Sequence, residues 1–267
     1  MSATHDLPHA DFPIRSGLTL WFGAALLAWI VSRTYGHLSG ELTWWPFFLS
    51  VLPAQYMLCV CIHDAVHGVL FPNRVVNTAA GVLMAMGVGL PFPLLRRTHL
   101  RHHDTLHEHD DPERVVYELE PRNLLIRLPT IPLIYLRNWR LLTRSERALT
   151  LGVVAALGAL LALTSARFGA PLAARALLIP ALTTIAWFGF TTVYVPHSRH
   201  SAALMRYFTE HSGWHHDHHR SPQYPFNQYL QLRHFHLIHG VFAPRGREAS
   251  IVGWLARRLE RHEGPRS

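Results

Sequence analysis

Charge is scarce in this chain, and lysine is absent altogether. Only 16% of the 267 residues are charged, against about 25% in an average soluble domain. With 49% hydrophobic residues as well, the surface cannot be mostly polar. The two cysteines, Cys59 and Cys61, lie inside one apolar run. They offer no disulfide framework and are too isolated for a zinc site, so they read as buried packing residues. No polar linker, repeat or low-complexity segment divides the chain, and one domain over residues 1–267 is expected. All 25 basic residues are arginine, with a formal charge of +8. They flank apolar blocks instead of covering a polar face, which fits membrane flanks and excludes a nucleic-acid surface.

What the chain does have is long apolar blocks. Crossing a bilayer takes about 20 residues of helix. Four stretches meet that need and are expected as spans at about 18–35, 44–66, 149–166 and 176–195, with Trp21, Trp44, Trp45 and Tyr194 near their ends. Residues 1–16 are polar and lack the marks of a removable signal peptide. The segment 75–95 is apolar too, but histidines bracket it, His63/His67 before and His99/His102/His103 after. For those groups to meet, the segment has to return to the side where it began. About 30 residues cannot cross a 30 Å core twice, so a re-entrant hairpin is expected, turned by Gly87, Gly89, Pro91 and Pro93. Residues 121–145 alternate arginine with apolar residues and are broken by Pro129 and Pro132, which suits a helix lying on the bilayer surface. The expected fold is therefore an all-α integral membrane protein. It has about four transmembrane helices, a re-entrant hairpin, interfacial helices and a histidine-rich cap from residues 96–120 and 197–240. Arg96, Arg97, Arg101, Arg140 and Arg144 share the histidine side, while the opposite loops hold Arg33, Arg167 and Arg175. The positive-inside rule then places the histidines and both termini in the cytoplasm.

Histidine is abundant, at 21 residues, and clustered. His63 and His67 stand at i, i+4 at the end of the second apolar run, on one helical face. His99, His102 and His103 follow the i, i+3, i+4 pattern, and so do His215, His218 and His219. One such group is a weak signal; three expected on one membrane side form a strong one. Imidazole binds iron, copper, nickel or zinc, so the ligand type leaves the metal open. A single catalytic zinc takes three protein ligands, whereas eight boxed histidines suit two ions. Asp64, Asp104, Asp110, Asp111 and Asp217 lie close by as acceptors for the outer N–H of ligand imidazoles.

His63-Asp64-Ala-Val-His67-Gly68, His99-x-x-His102-His103 and His215-x-x-His218-His219 resemble the three histidine boxes of the membrane fatty acid desaturase family. That family includes acyl desaturases, hydroxylases and bacterial beta-carotene ketolases. The resemblance covers about residues 44–235, with the boxes in the family's order. It implies a centre of two iron ions held almost entirely by histidine. It also implies O2 as co-substrate, and electrons from a ferredoxin or cytochrome b5-type donor. An isolated histidine ligand follows the last span in this family, and His197 in Val195-Pro196-His197 occupies that place, with His200 as rival. Some desaturases carry a water-bridging asparagine four residues earlier, where this chain has Val193. No haem-domain motif is fused to the chain, so the electron donor is expected to be a separate protein.

The expected substrate is an apolar lipid drawn from the bilayer, with fatty acyl desaturation as the reaction. A carotenoid substrate is the alternative. It rests on the His-Asp-Ala-x-His-Gly box, the Asp110-Asp111-Pro112 run and the Val-Pro-His element, which look like those of carotenoid ketolases. A metal transporter would place ligands and carboxylates at mid-membrane, and a haem carrier would pair histidines within spans. Here the histidines sit at the ends of the apolar runs, which favours the enzyme. The expected location is a bacterial inner membrane.

Overall fold

The computed structural model describes residues 17–106, 108–127 and 131–198, and every regular element among them is helical. In chain order these are α1 (Gly17–Leu38), α2 (Trp44–Val66), α3 (Arg74–Met86), α4 (Phe92–Asp104), α5 (Arg114–Tyr117), α6 (Pro121–Arg127) and α7 (Ile131–Leu136). A 3-10 turn at Arg137–Leu141 leads into α8 (Arg144–Phe168), and α9 (Ala170–His197) follows. Four helices, α1, α2, α8 and α9, contain 22, 23, 25 and 28 residues and are long and apolar enough to cross a membrane. At 1.5 Å per residue they span about 33 to 42 Å. Their large apolar side chains also face outward, among them Trp21, Trp29, Leu151 and Leu163. A patch of that extent is unstable in water and matched in hydrocarbon.

The fourth span begins earlier than residue 176. Gly169 alone separates α8 from α9, at φ 89°, a backbone region that only glycine enters freely. Pro171 sits in the first turn of α9 and alanines follow, so the helix restarts at once instead of leaving a loop. Near its other end α9 widens to a π turn at Phe190–Tyr194. Pro196 has no N–H to give to that turn, and one turn earlier the Thr191 and Thr192 hydroxyls donate back to the Trp187 and Phe188 carbonyls, at 3.0 and 2.5 Å.

Helix α2 is the centre of the bundle and packs on α1, α3 and α9. Phe47, Leu58, Ile62 and Ala65 on it are wholly buried. Gln55 ties three elements together: its Nε2 donates to the Gly87 carbonyl (3.0 Å), and its Oε1 accepts from Thr184 Oγ1 (3.0 Å). Between helices in an apolar medium such a bond contributes about 0.6–2 kcal/mol. Small residues allow close approach between α1 and α3 and between α9 and α7. A side chain at Gly23 would meet Met84 Sδ at 2.7 Å, and one at Gly189 would meet Ile131 at 2.6 Å.

The path from α2 to α4 sets the site. With 13 residues, α3 is about 20 Å long, too short to cross a 30 Å core. Gly89, at φ 72°, and Pro91, the residue preceding α4, then reverse the chain, and α4 starts back toward the end of α2. The rings of His67 and His103 finish 4.8 Å apart. Asn77 of α3 holds this return together. Its Nδ2 donates to the Ala65 carbonyl at 2.7 Å, and its Oδ1 accepts from the Leu70 and Phe71 amides at 3.1 and 3.3 Å. Arg96 Nε donates to the Val66 carbonyl at 3.2 Å. Following backbone amides close most of the last turn of α2, and α3 and α4 add donors to its Ala65 and Val66 carbonyls. Replacing Asn77 by Leu strips two loop amides of their acceptor and should cost about 2 kcal/mol or more. Thermal unfolding in detergent should show the loss, and an unchanged midpoint would contradict this role.

Candidate metal centre

The two ends that α3 brings together carry the first two histidine boxes. Positions 63 and 67 lie one turn apart, so both rings leave α2 on one side, 4.8 Å apart between centroids. Across from them, His99 and His103 leave α4 together at 4.7 Å. The four donor sets meet. His63 Nε2 lies 3.0 Å from His99 Nε2, His103 Nε2 lies 3.1 Å from the same atom, and one ligand atom from each of the four residues falls within 4.8 Å of the others. Donors about 2.1 Å from one shared ion stand roughly 3 to 4 Å apart. The arrangement therefore fits a metal ion without large movement.

His102 faces elsewhere. At 100° per residue it sits about 60° to one side of His99, while His103 sits about 40° to the other. The i, i+3, i+4 triangle therefore straddles two groups instead of serving one. His102 is 1% exposed, and its ring lies 4.9 Å from that of His197 at the end of α9. Its Nδ1 stands 3.0 Å from each Asp111 oxygen. With Nδ1–H donating there, the Nε2 lone pair is turned inward, the usual way a carboxylate orients a ligand imidazole.

Asp111 is itself braced by the Glu113 amide (2.9 Å) and the Tyr117 hydroxyl (2.8 Å). Burial alone would raise its pKa, but the hydrogen bond and charge of His102 and these two donors hold it below the usual range. Glu113, 2% exposed, behaves in the same way: burial opposes its ionisation, yet His102, His99 and the Tyr135 hydroxyl bring its pKa down to about 2. Burial works against a proton on His102, and the Glu113 and Asp111 carboxylates more than reverse that. This negative field, which favours a proton on the imidazole, equally favours a metal cation in its place. His67 shows the opposite balance, since burial, His99 and Arg96 push its pKa well down. It stays neutral, as a ligand has to be.

Of the nine histidines expected as ligands, His63, His67, His99 and His103 form one cluster, and His102 and His197 stand together beside it. His215, His218 and His219, with the rival His200, lie outside the described residues. Among the carboxylates, Asp111 supports a box histidine, Asp110 pairs with Arg101 at the surface, and Asp104 is exposed. Sequence reasoning gave no role to Glu113, Tyr117 or Tyr135; only the position of Glu113 in the acidic run after the second box hinted at one. Val193, where an asparagine was sought, is buried and apolar. Asp111→Asn keeps the shape but removes the charge facing His102. It should weaken metal binding about 10- to 100-fold, measured by metal titration of purified protein; equal affinity would contradict the orienting role.

A family model described as fatty acid desaturase matches residues 42–246. No curated protein and no solved structure matches significantly. The matched region takes in most of the chain, including every residue of the cluster and the third histidine box, and the chain belongs to the fatty acid desaturase family.

Proposed function

We propose that this protein is a non-haem di-iron oxidoreductase that uses O2 to oxidise a C–H bond of a membrane lipid, with fatty acyl desaturation as its reaction. The observation that carries the reading is the four-histidine cluster where α2 and α4 end, beside the His102–His197 pair. Two iron ions, when bound, would supply the activation of dioxygen that removal of hydrogen from an unactivated carbon requires. His63, His67, His99 and His103 would hold one ion. His102 and His197 would contribute to the other, together with His215, His218 and His219. Asp111 fixes the ring of His102, and the Tyr117 hydroxyl keeps that carboxylate in place. Electrons would come from a separate ferredoxin or cytochrome b5-type donor.

The substrate follows from the solvent. Outward apolar faces on α1 and α8 suit a bilayer, and an acyl chain already dissolved in it reaches the helix ends without passing through water. The short helices α6 and α7 would lie at the interface. Arg175 stacks on Trp44, at the start of α2 and remote from His63, whereas Arg97 pairs with Glu146 on the histidine side. The greater number of arginines on that side favours a cytoplasmic location for the histidines, in a bacterial inner membrane.

Expression of the gene in a carotene-producing host, followed by mass spectrometry of lipids and pigments, tests the reaction. New double bonds in acyl chains with unchanged pigment are expected. New keto or hydroxy carotenoids would replace the acyl reading by the carotenoid one. His103→Ala should lose bound iron and lower product formation by more than about 100-fold, beyond the effect of removing a supporting contact. Full iron content and turnover in that variant would overturn the assignment.

A further inference from the structure

The side chain of Glu113 is almost wholly buried, at 2% exposed, and its contacts are unlike those of Asp111. Its Oε1 accepts from the Tyr135 hydroxyl at 3.0 Å and faces His99 Nδ1 at 3.6 Å. Its Oε2 is shielded from solvent and has no hydrogen-bond partner among the described residues. That atom points at His102 Nε2, 3.8 Å away. The separation is too long for a hydrogen bond. It matches two donors that share one ion, since ligands about 2.1 Å from a metal at angles of 90–130° stand about 3 to 3.8 Å apart. His102 approaches with Nε2 because Nδ1 is engaged by Asp111.

Charge points the same way. A buried carboxylate needs a compensating cation. Among the described residues no arginine pairs with Glu113; a hydroxyl and two imidazoles are its side-chain partners there. Two divalent ions held by neutral imidazoles alone would in turn concentrate four positive charges in a half-buried site. One carboxylate relieves both problems.

We propose that Glu113 is a metal ligand through Oε2, at the position it shares with His102, so that the centre is held by a mixed histidine and carboxylate set. Tyr135 holds the other oxygen and aims the carboxylate. The proposal rests on the two-metal reading given above, and its test separates the two. Detergent-purified full-length protein is titrated anaerobically with Fe2+, and bound metal is counted by mass spectrometry for wild type, Glu113→Gln and Tyr135→Phe. Infrared difference spectra of 13C-glutamate-labelled wild type, with and without Fe2+, read the carboxylate directly. Wild type should bind two ions. Glu113→Gln should keep one at wild-type affinity and bind the second at least tenfold more weakly, while Tyr135→Phe keeps both. A labelled glutamate carboxylate band should shift on metal binding. Two ions at wild-type affinity in Glu113→Gln, or the absence of any metal-linked glutamate shift in wild type, would overturn the ligand role and leave the two-metal reading standing. Fewer than two ions in wild type would overturn the two-metal reading itself. Should Glu113→Gln fail to fold, the infrared measurement on wild type still decides.

Discussion

Four imidazoles from two helices stand with their donor atoms within 4.8 Å of one another, and keeping them there constrains everything between. The end of α2 and the length of α4 have to lie on one side of the bundle, so the apolar residues joining them cannot cross. That is why α3 stops after 13 residues and why the chain reverses before α4. The reversal is held by polar contacts as well as by packing. Asn77 and Arg96 engage the last carbonyls of α2, which ties box one to the helices that carry it toward box two. An apolar return would have removed the donors that Asn77 and Arg96 supply to those carbonyls in a buried place.

Around this junction the bundle combines a stable frame with a polar end. Residues of α2 that face α1, α3 and α9 are buried, while α1 and α8 turn most of their apolar surface outward. Hydrogen bonds inside the frame are few and specific, as with Gln55 between Gly87 and Thr184. The charged residues concentrate where the helices end. There Asp111, Glu113 and their tyrosine partners surround His102, giving a cation-attracting field beside a neutral His67. Such a pairing of neutral imidazoles with anchored carboxylates is what metal binding requires on both sides of the ligand ring.

The parts of this arrangement that follow a local rule were legible in the sequence. Spacing of i, i+4 put His63 with His67 and His99 with His103, and run length marked the four spans. The early start of α9 does not follow from the apolar run, which begins at residue 176, whereas the single Gly169 is enough to restart a helix. The division of box two between two groups was missed for a different reason. His102 and His103 flank His99 by about 60° and 40° on α4, and only the positions of α5 and of the end of α9 give His102 a separate group to face. Asn77 and Gln55 act across 12 and 129 residues, a separation at which pattern carries no information. Glu113 could be seen in the acidic run after box two, but its burial against Tyr135, 22 residues on, could not.

Every role assigned to these side chains requires histidines from separate helices to share metal ions. X-ray absorption at the iron edge of anaerobically loaded wild-type protein tests this most directly. A shell of nitrogen and oxygen donors at about 2.1 Å is expected, with the outer-shell scattering of several imidazoles per iron. A haem-type spectrum, sulfur in the first shell, or iron lacking imidazole scattering would contradict it.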